Sequence, residues 1–255
     1  MNILIGDTGL VGTTLKENVK FDLTFNSKNI KTIKDYELIN PVVYLSCLPA
    51  TKWVVNNNIK DDVININEII NILSGIHFNR IILISTIDVY CDSPIYSHED
   101  DFIIVKNLSY GTNRYYFELL VKNMLSTDDL KIFRLPALFN KNIKKNVIYD
   151  LINGNNVDQI NINSKYQWYN LDKLNNDIKN YLTIYPNDTI FNLFTEPIET
   201  KKIVELFPEY INKVINLPNR IEYNFLTKYD STGYITSSDV VFDEIKKFIH
   251  ETINK

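Results

Sequence analysis

Four short stretches of this chain combine residue types that could do chemistry. The first is Gly6-Asp7-Thr8-Gly9-Leu10-Val11-Gly12, directly after the apolar run Ile3-Leu4-Ile5. A buried strand that runs through G-x-x-G-x-x-G into a helix can hold the diphosphate of a dinucleotide. Gly6 lets the chain turn, Gly9 lets backbone approach the phosphates, and Gly12 lets the helix pack closely with its first N–H groups facing the anion. The second stretch is Ile84-Ser85-Thr86-Ile87-Asp88-Val89-Tyr90. It ends an apolar strand, and ligands of open α/β sheets bind beyond such ends. The Thr86 hydroxyl there can hydrogen-bond a substrate oxygen. The third, Ser109-Tyr110-Gly111-Thr112-Asn113-Arg114, opens a helix and places Tyr110 and Arg114 on one face. The fourth, Arg134-Leu135-Pro136-Ala137-Leu138-Phe139, is a strand running into a proline.

The elements that must position these residues alternate. Strands are expected at 1–5, 21–25, 42–48, 80–85 and 131–135, with helices at 9–19, 61–73 and 111–125. The 61–73 helix shows apolar spacing at Val63, Ile66, Ile69, Ile70 and Leu73. Alternation of this kind implies parallel pairing with right-handed crossovers. The expected fold is therefore α/β: a Rossmann-type, doubly wound parallel sheet with a small C-terminal substrate lobe. Residues 1–140 form the dinucleotide-binding domain. Residues 141–255 form the lobe, interleaved with the first part and not folding alone. In the lobe, helices are expected at 145–152, 172–182, 200–207 and 241–253, and a strand at 189–194. Only about fifteen residues separate Asn26 from Val42, too few for a strand plus a full crossover. A strand is expected to be missing there, which narrows the wall beside an adenine.

Composition excludes several classes. With 27 basic and 31 acidic residues and a net charge of −4, the chain is no general nucleic-acid or membrane binder. No apolar run approaches the length of a bilayer span, and the N-terminus starts a strand rather than a signal peptide, so a cytoplasmic location is expected. Cys47 and Cys91 read as reduced core residues. His77, His98 and His250 are scattered, and no spacing resembles a metal site. His98, Glu99, Asp100 and Asp101 read as a solvated loop. Trp53 and Trp168 can stack on a base or sugar, with core packing the default.

Taken in order, these pieces resemble the extended short-chain dehydrogenase/reductase superfamily, which includes the NAD-dependent epimerases and dehydratases of nucleotide sugars. Gln167-Trp168-Tyr169-Asn170-Leu171-Asp172 adds a fifth matching stretch. In its compact length the chain looks most like reductases of 4-keto-6-deoxy sugars. The resemblance implies that Tyr110 is the general acid/base, its phenol lowered by a neighbouring cation and by the nicotinamide. It implies that Thr86 holds the reacting oxygen and that Arg114 meets the ribose. Cofactor contacts are expected from Gly6, Thr8, Gly9, Leu10, Val11, Gly12, Asn26, Ser27, Lys28, Ser46, Cys47, Leu48, Leu135 and Pro136. Substrate contacts are expected from Thr86, Asp88, Asn140, Lys145, Asn146 and Trp168. The implied substrate is a nucleotide sugar, and a homodimer is expected.

Two departures matter. The family has lysine where this chain has Arg114, which keeps the charge but cannot deprotonate. An inactive dinucleotide-binding relative is therefore an alternative to an enzyme. The dehydratases of the family carry Asp-Glu where this chain has Ile87-Asp88, which disfavours dehydration and leaves ketone reduction or 4-epimerisation. The second strand ends in Asn26-Ser27-Lys28 without an acid, so NADP is preferred over NAD.

Overall fold

A computed structural model describes residues 1–218 and 220–253; residues 219, 254 and 255 of the expected lobe lie outside the described residues. Six strands, β1 (Asn2–Ile5), β2 (Leu23–Phe25), β3 (Val42–Leu45), β4 (Arg80–Thr86), β5 (Leu130–Leu135) and β6 (Ile190–Asn192), form one sheet in the order β6-β5-β4-β3-β1-β2. The pairs β1–β2, β1–β3 and β3–β4 are parallel, with Ile3 opposite Leu23 and Val43, and Val43 opposite Ile81. The expected doubly wound α/β fold is present.

Alternation along the strands divides the core. Ile3, Ile5, Val43, Leu45, Ile81 and Leu83 join one apolar cluster with Ile66, Ile69, Ile70 and Leu73 of α3 (Ile59–Leu73) and Phe117 and Val121 of α4 (Tyr110–Met124). Leu4 and Ile82, one residue out of step, are equally buried outside that cluster. A strand places successive side chains on opposite faces, so both faces of this sheet are covered. That is why the strands read as unbroken apolar runs. The helices α1 (Leu10–Asn18) and α6 (Leu174–Ile184) pack together, as do α3 and α4.

Between β2 and β3 the chain makes only a 3-10 helix, Ile30–Asp35, whose Ile30 and Ile33 enter the core. Among the described residues no strand lies beyond β2, as the short segment implied.

The chain divides into two compact units. The first holds Met1–Pro94, Asp101–Arg134 and Leu174–Phe191; the second holds Ile95–Asp100, Leu135–Lys173 and the chain from Asn192 onward. The helix α6 thus belongs with the sheet rather than with the lobe expected at 141–255. In the second unit Ala137–Phe139 pairs in parallel with Trp168–Asn170, and Lys165–Tyr166 pairs antiparallel with Ile198–Glu199. Glu99 is not part of a solvated loop. It is buried and accepts hydrogen bonds from Asn192 N (2.8 Å), Thr227 Oγ1 (2.8 Å) and Lys228 N (2.9 Å), which pins the 95–100 segment within that unit. Burial raises its carboxyl above the ordinary range, against the pull of those donors.

A buried polar network crosses the first unit. Arg134 of β5 donates to both Glu118 oxygens, through Nε at 3.0 Å and Nη2 at 2.6 Å, and through Nη1 to Tyr90 Oη at 2.6 Å. Ser85 Oγ donates to Glu118 Oε1 at 2.5 Å. Both members of this ion pair are almost fully enclosed. Removing one partner strands the other charge, so Glu118→Ala should lower the stability of the chain by about 3–5 kcal/mol, read from urea unfolding.

Candidate active site

The glycine loop is tied into the sheet end by its backbone. Gly6 has φ +101°, and a Cβ there would lie 2.3 Å from Ser46 O. A Cβ on Gly12 would lie 2.1 Å from Gly6 O, so the first turn of α1 sits directly on the loop. Gly9 differs. Its φ of −75° suits any residue, and a Cβ there would make only ordinary contacts, 3.6 Å to Gly6 O and 4.0 Å to Ser46 O. Neither conformation nor internal packing demands glycine at this exposed position. The side of the chain at Gly9 is open, and the residues present fit the diphosphate of a dinucleotide. The start of α1 has no side-chain cap and no acidic residue in its first turn, which leaves its N–H groups and positive dipole end available to an anion.

Beside the loop run Ser46, Cys47 and Leu48. Ser46 N donates to Ile5 O at 2.9 Å, while Cys47 and Leu48 pack against the apolar cluster. Burial pushes the Cys47 thiol up to about 12, so it is an inert neighbour rather than a nucleophile. Cys91 corrects the core reading: it is exposed, and both cysteines are free.

The third stretch forms the start of α4. Ser109 caps the helix, its Oγ accepting from Thr112 N at 3.2 Å, and Asn56 Oδ1 accepts from Tyr110 N at 2.7 Å. A Cβ on Gly111 would lie 1.9 Å from Asp88 O, so the helix start presses against the 3-10 turn Ile87–Tyr90. That contact brings the second and third stretches together. Thr86 caps the turn: its Oγ1 accepts from Asp88 N at 3.2 Å and lies 3.4 Å from Asp88 Oδ2. Asp88 in turn accepts from Lys52 Nζ at 2.6 Å.

Arg114 is buried and its guanidinium lies over the Tyr110 ring, 4.4 Å from the centroid. Its Nη1 donates to Asp62 Oδ2 at 2.9 Å, and its Nη2 to Asp62 Oδ1 at 3.1 Å and Pro49 O at 2.7 Å. Asn113 Nδ2 adds a bond to Asp62 Oδ2 at 2.8 Å. The fork expected to reach ribose hydroxyls is instead held by an aspartate and a carbonyl of its own chain. The expected pull of a neighbouring cation on the Tyr110 phenol is present but outweighed. Burial raises it above its ordinary value; Arg114 opposes this, while Asp88 and Asp62 add to it.

The remaining predicted contacts are placed as follows. Asn26, Ser27 and Lys28 follow β2, with Asn26 Oδ1 accepting from Lys28 N at 3.0 Å and Ser27 and Lys28 exposed. Thr8 is exposed; Leu10 and Val11 are half-buried. Leu135, Pro136, Asn140, Lys145, Asn146 and Trp168 lie in the second unit. Asn140 is buried and donates to Asp172 Oδ1 at 3.1 Å. Asn146, at φ +120°, caps α5 (Val147–Asn153) by accepting from Tyr149 N at 3.0 Å. Lys145 is exposed, and partial burial of its ammonium lowers it. Trp168 is only 1% exposed and packs against Tyr166, so its ring has no open face for a ligand. Trp53, expected to default to the core, is 75% exposed on α2 (Lys52–Asn57). Among the described residues no group of three or more His, Cys, Asp or Glu is placed to hold a metal, and no helix is long and apolar enough to cross a membrane.

Sequence reasoning missed Asp62, Asn113, Glu118 and Asn56. Glu118 had a signal, standing two turns beyond Tyr110 on the same helix face. Asp62 had none, because an acid in the first turn of a helix reads as ordinary dipole complementation.

No family model and no curated protein matches the chain. Solved structures do, over their whole length. A dTDP-4-dehydrorhamnose reductase from Clostridium acetobutylicum superposes with TM-score 0.72 at 17% identity, covering 98% of this chain and 99% of that one. The chain has the fold of the extended short-chain dehydrogenases/reductases. A UDP-glucuronic acid 4-epimerase variant from Bacillus cereus, solved with a UDP-linked fluoro sugar and NAD, gives TM-score 0.70 at 16% identity over 100% and 99% of the two chains. A dTDP-4-dehydrorhamnose reductase from Bacillus anthracis in complex with NADP gives 0.67 at 15% identity over 98% and 99%. Within this short-chain dehydrogenase/reductase fold, the buried clamp on Arg114 sets the charge that Tyr110 meets. Asp62→Asn removes an anion that opposes ionisation of the phenol. The Tyr110 resonance, followed by 13C NMR of ζ-labelled tyrosine and assigned with Tyr110→Phe, should therefore titrate at lower pH in Asp62→Asn than in the parent.

Proposed function

We propose that the chain is an NAD(P)-dependent oxidoreductase that reduces a keto group of a nucleotide-linked sugar, of the 4-keto-6-deoxy type. One observation carries this reading. A buried phenol under a guanidinium opens a helix whose start packs on a threonine-capped turn at the carboxyl end of a parallel strand, in the unit whose glycine loop fits a diphosphate. A bound dinucleotide supplies the hydride.

The chain's own residues do the rest. Tyr110 donates the phenolic proton to the carbonyl oxygen as the carbon is reduced. Its burial supports that role, since a phenol held neutral is a donor rather than a base. Thr86 Oγ1 positions the same oxygen. Arg114, clamped by Asp62, offsets the negative charge left on Tyr110 after donation. Asp88 is engaged by Lys52 and Thr86, and Ile87 is buried and has no proton to exchange. Both facts favour plain reduction over elimination of water.

The test is oxidation of reduced nicotinamide by the purified protein with nucleotide 4-keto-6-deoxy sugars. Turnover is expected. Tyr110→Phe should lower kcat by about 10²–10⁴-fold while dinucleotide affinity stays close to that of the parent. Tight dinucleotide binding without turnover of any such sugar would overturn the reading in favour of a binding protein.

A further inference from the structure

The end of β2 carries no acid of its own, yet the folded chain places one there. Gly6 N and Asp7 N both donate to Phe25 O, at 2.7 and 3.2 Å, so the glycine turn is fastened across the last residue of the strand. Asp7 Oδ1 accepts from Asn26 Nδ2 at 3.1 Å. Its Oδ2 is 3.5 Å from Lys16 Nζ, and its side chain keeps 13% of its surface open. In a dinucleotide site a carboxylate at the end of the second strand accepts from the 2′-hydroxyl of the adenosine ribose and repels a 2′-phosphate.

We propose that Asp7, delivered by the glycine loop to the end of β2, makes this site select NAD over NADP. The inference rests on the dinucleotide reading above and reverses the preference drawn from Asn26-Ser27-Lys28 alone. The polar groups there point the same way. The Asn26 side chain is engaged by Asp7 and Lys28 N, and Asn26 N donates to Asn29 Oδ1 at 2.7 Å. Those bonds fold the turn on itself around Asn26. Lys16 lies at the long limit of an ion pair and is well exposed, so solvent screens its answer to Asp7. Burial works against the Asp7 charge, but Asn26, Lys16 and Thr24 outweigh it and hold the carboxyl below its ordinary range. These contacts favour the ionised carboxylate.

The experiment is calorimetric titration of the purified chain with NADH and NADPH, repeated with 5′-AMP and adenosine 2′,5′-bisphosphate as fragments lacking nicotinamide. NADH should bind about tenfold or more tightly than NADPH, and Asp7→Asn should shrink that ratio by about tenfold through a gain for the 2′-phosphate ligands. Asp7→Ser, which removes the carboxylate with a smaller side chain, should do the same and guards against a folding defect in one variant. NADPH binding as tightly as NADH in the parent, or an unchanged ratio in both folded variants, overturns the assignment of Asp7 while leaving the dinucleotide site standing. Failure of every adenosine ligand to bind overturns both.

Discussion

The bidentate bond between Arg114 and Asp62 is the constraint on which this site rests. It joins α4 to α3, and through Pro49 O it fixes the segment that follows β3. Nearly all of its polar capacity is met inside the protein, since Asp62 also accepts from Asn113. A buried pair of this kind gains little over apolar packing, but its geometry is stiff, because a planar fork fits a carboxylate in one way. The clamp holds the guanidinium face over the Tyr110 ring.

The same helix carries a second charge one turn further on. Tyr110, Arg114 and Glu118 recur every four residues, and all three are buried on one face of α4. Glu118 binds Arg134 and Ser85, so β4 and β5 are bolted to the helix beneath the site. Beyond Tyr110 the contact between helix and sheet therefore includes paired polar groups beside the apolar cluster. Members of one buried network are coupled, so the effects of changing two of them do not simply add.

Much of the fold was legible because its strands are covered on both faces. Ile3-Leu4-Ile5 and Ile81-Ile82-Leu83 read as buried strands without any knowledge of neighbours. The missing strand after β2 was legible from segment length alone. The candidate site was legible only where side chains act through local spacing, as Tyr110 and Arg114 do. It was opaque where partners come from distant segments: nothing near Asp62 marks it as the counter-ion of a residue 52 positions away. Trp53 and Trp168 show the same limit from the other side, one exposed and one enclosed, although composition treats them alike. Glu99 misled for a related reason, since a run of acids reads as solvated until the donors of Asn192, Thr227 and Lys228 are seen around it.

Ending the sheet at β2 has a consequence for solubility. A terminal strand displays a row of unsatisfied backbone donors and acceptors, and a long flat one invites another polypeptide to add itself. This one spans three residues, and the chain leaves it at once for the Asn26 turn and the Ile30–Asp35 helix. Too little ribbon is left for an intruding strand to grip, so the molecule has shed an element of the usual wall without gaining a sticky rim.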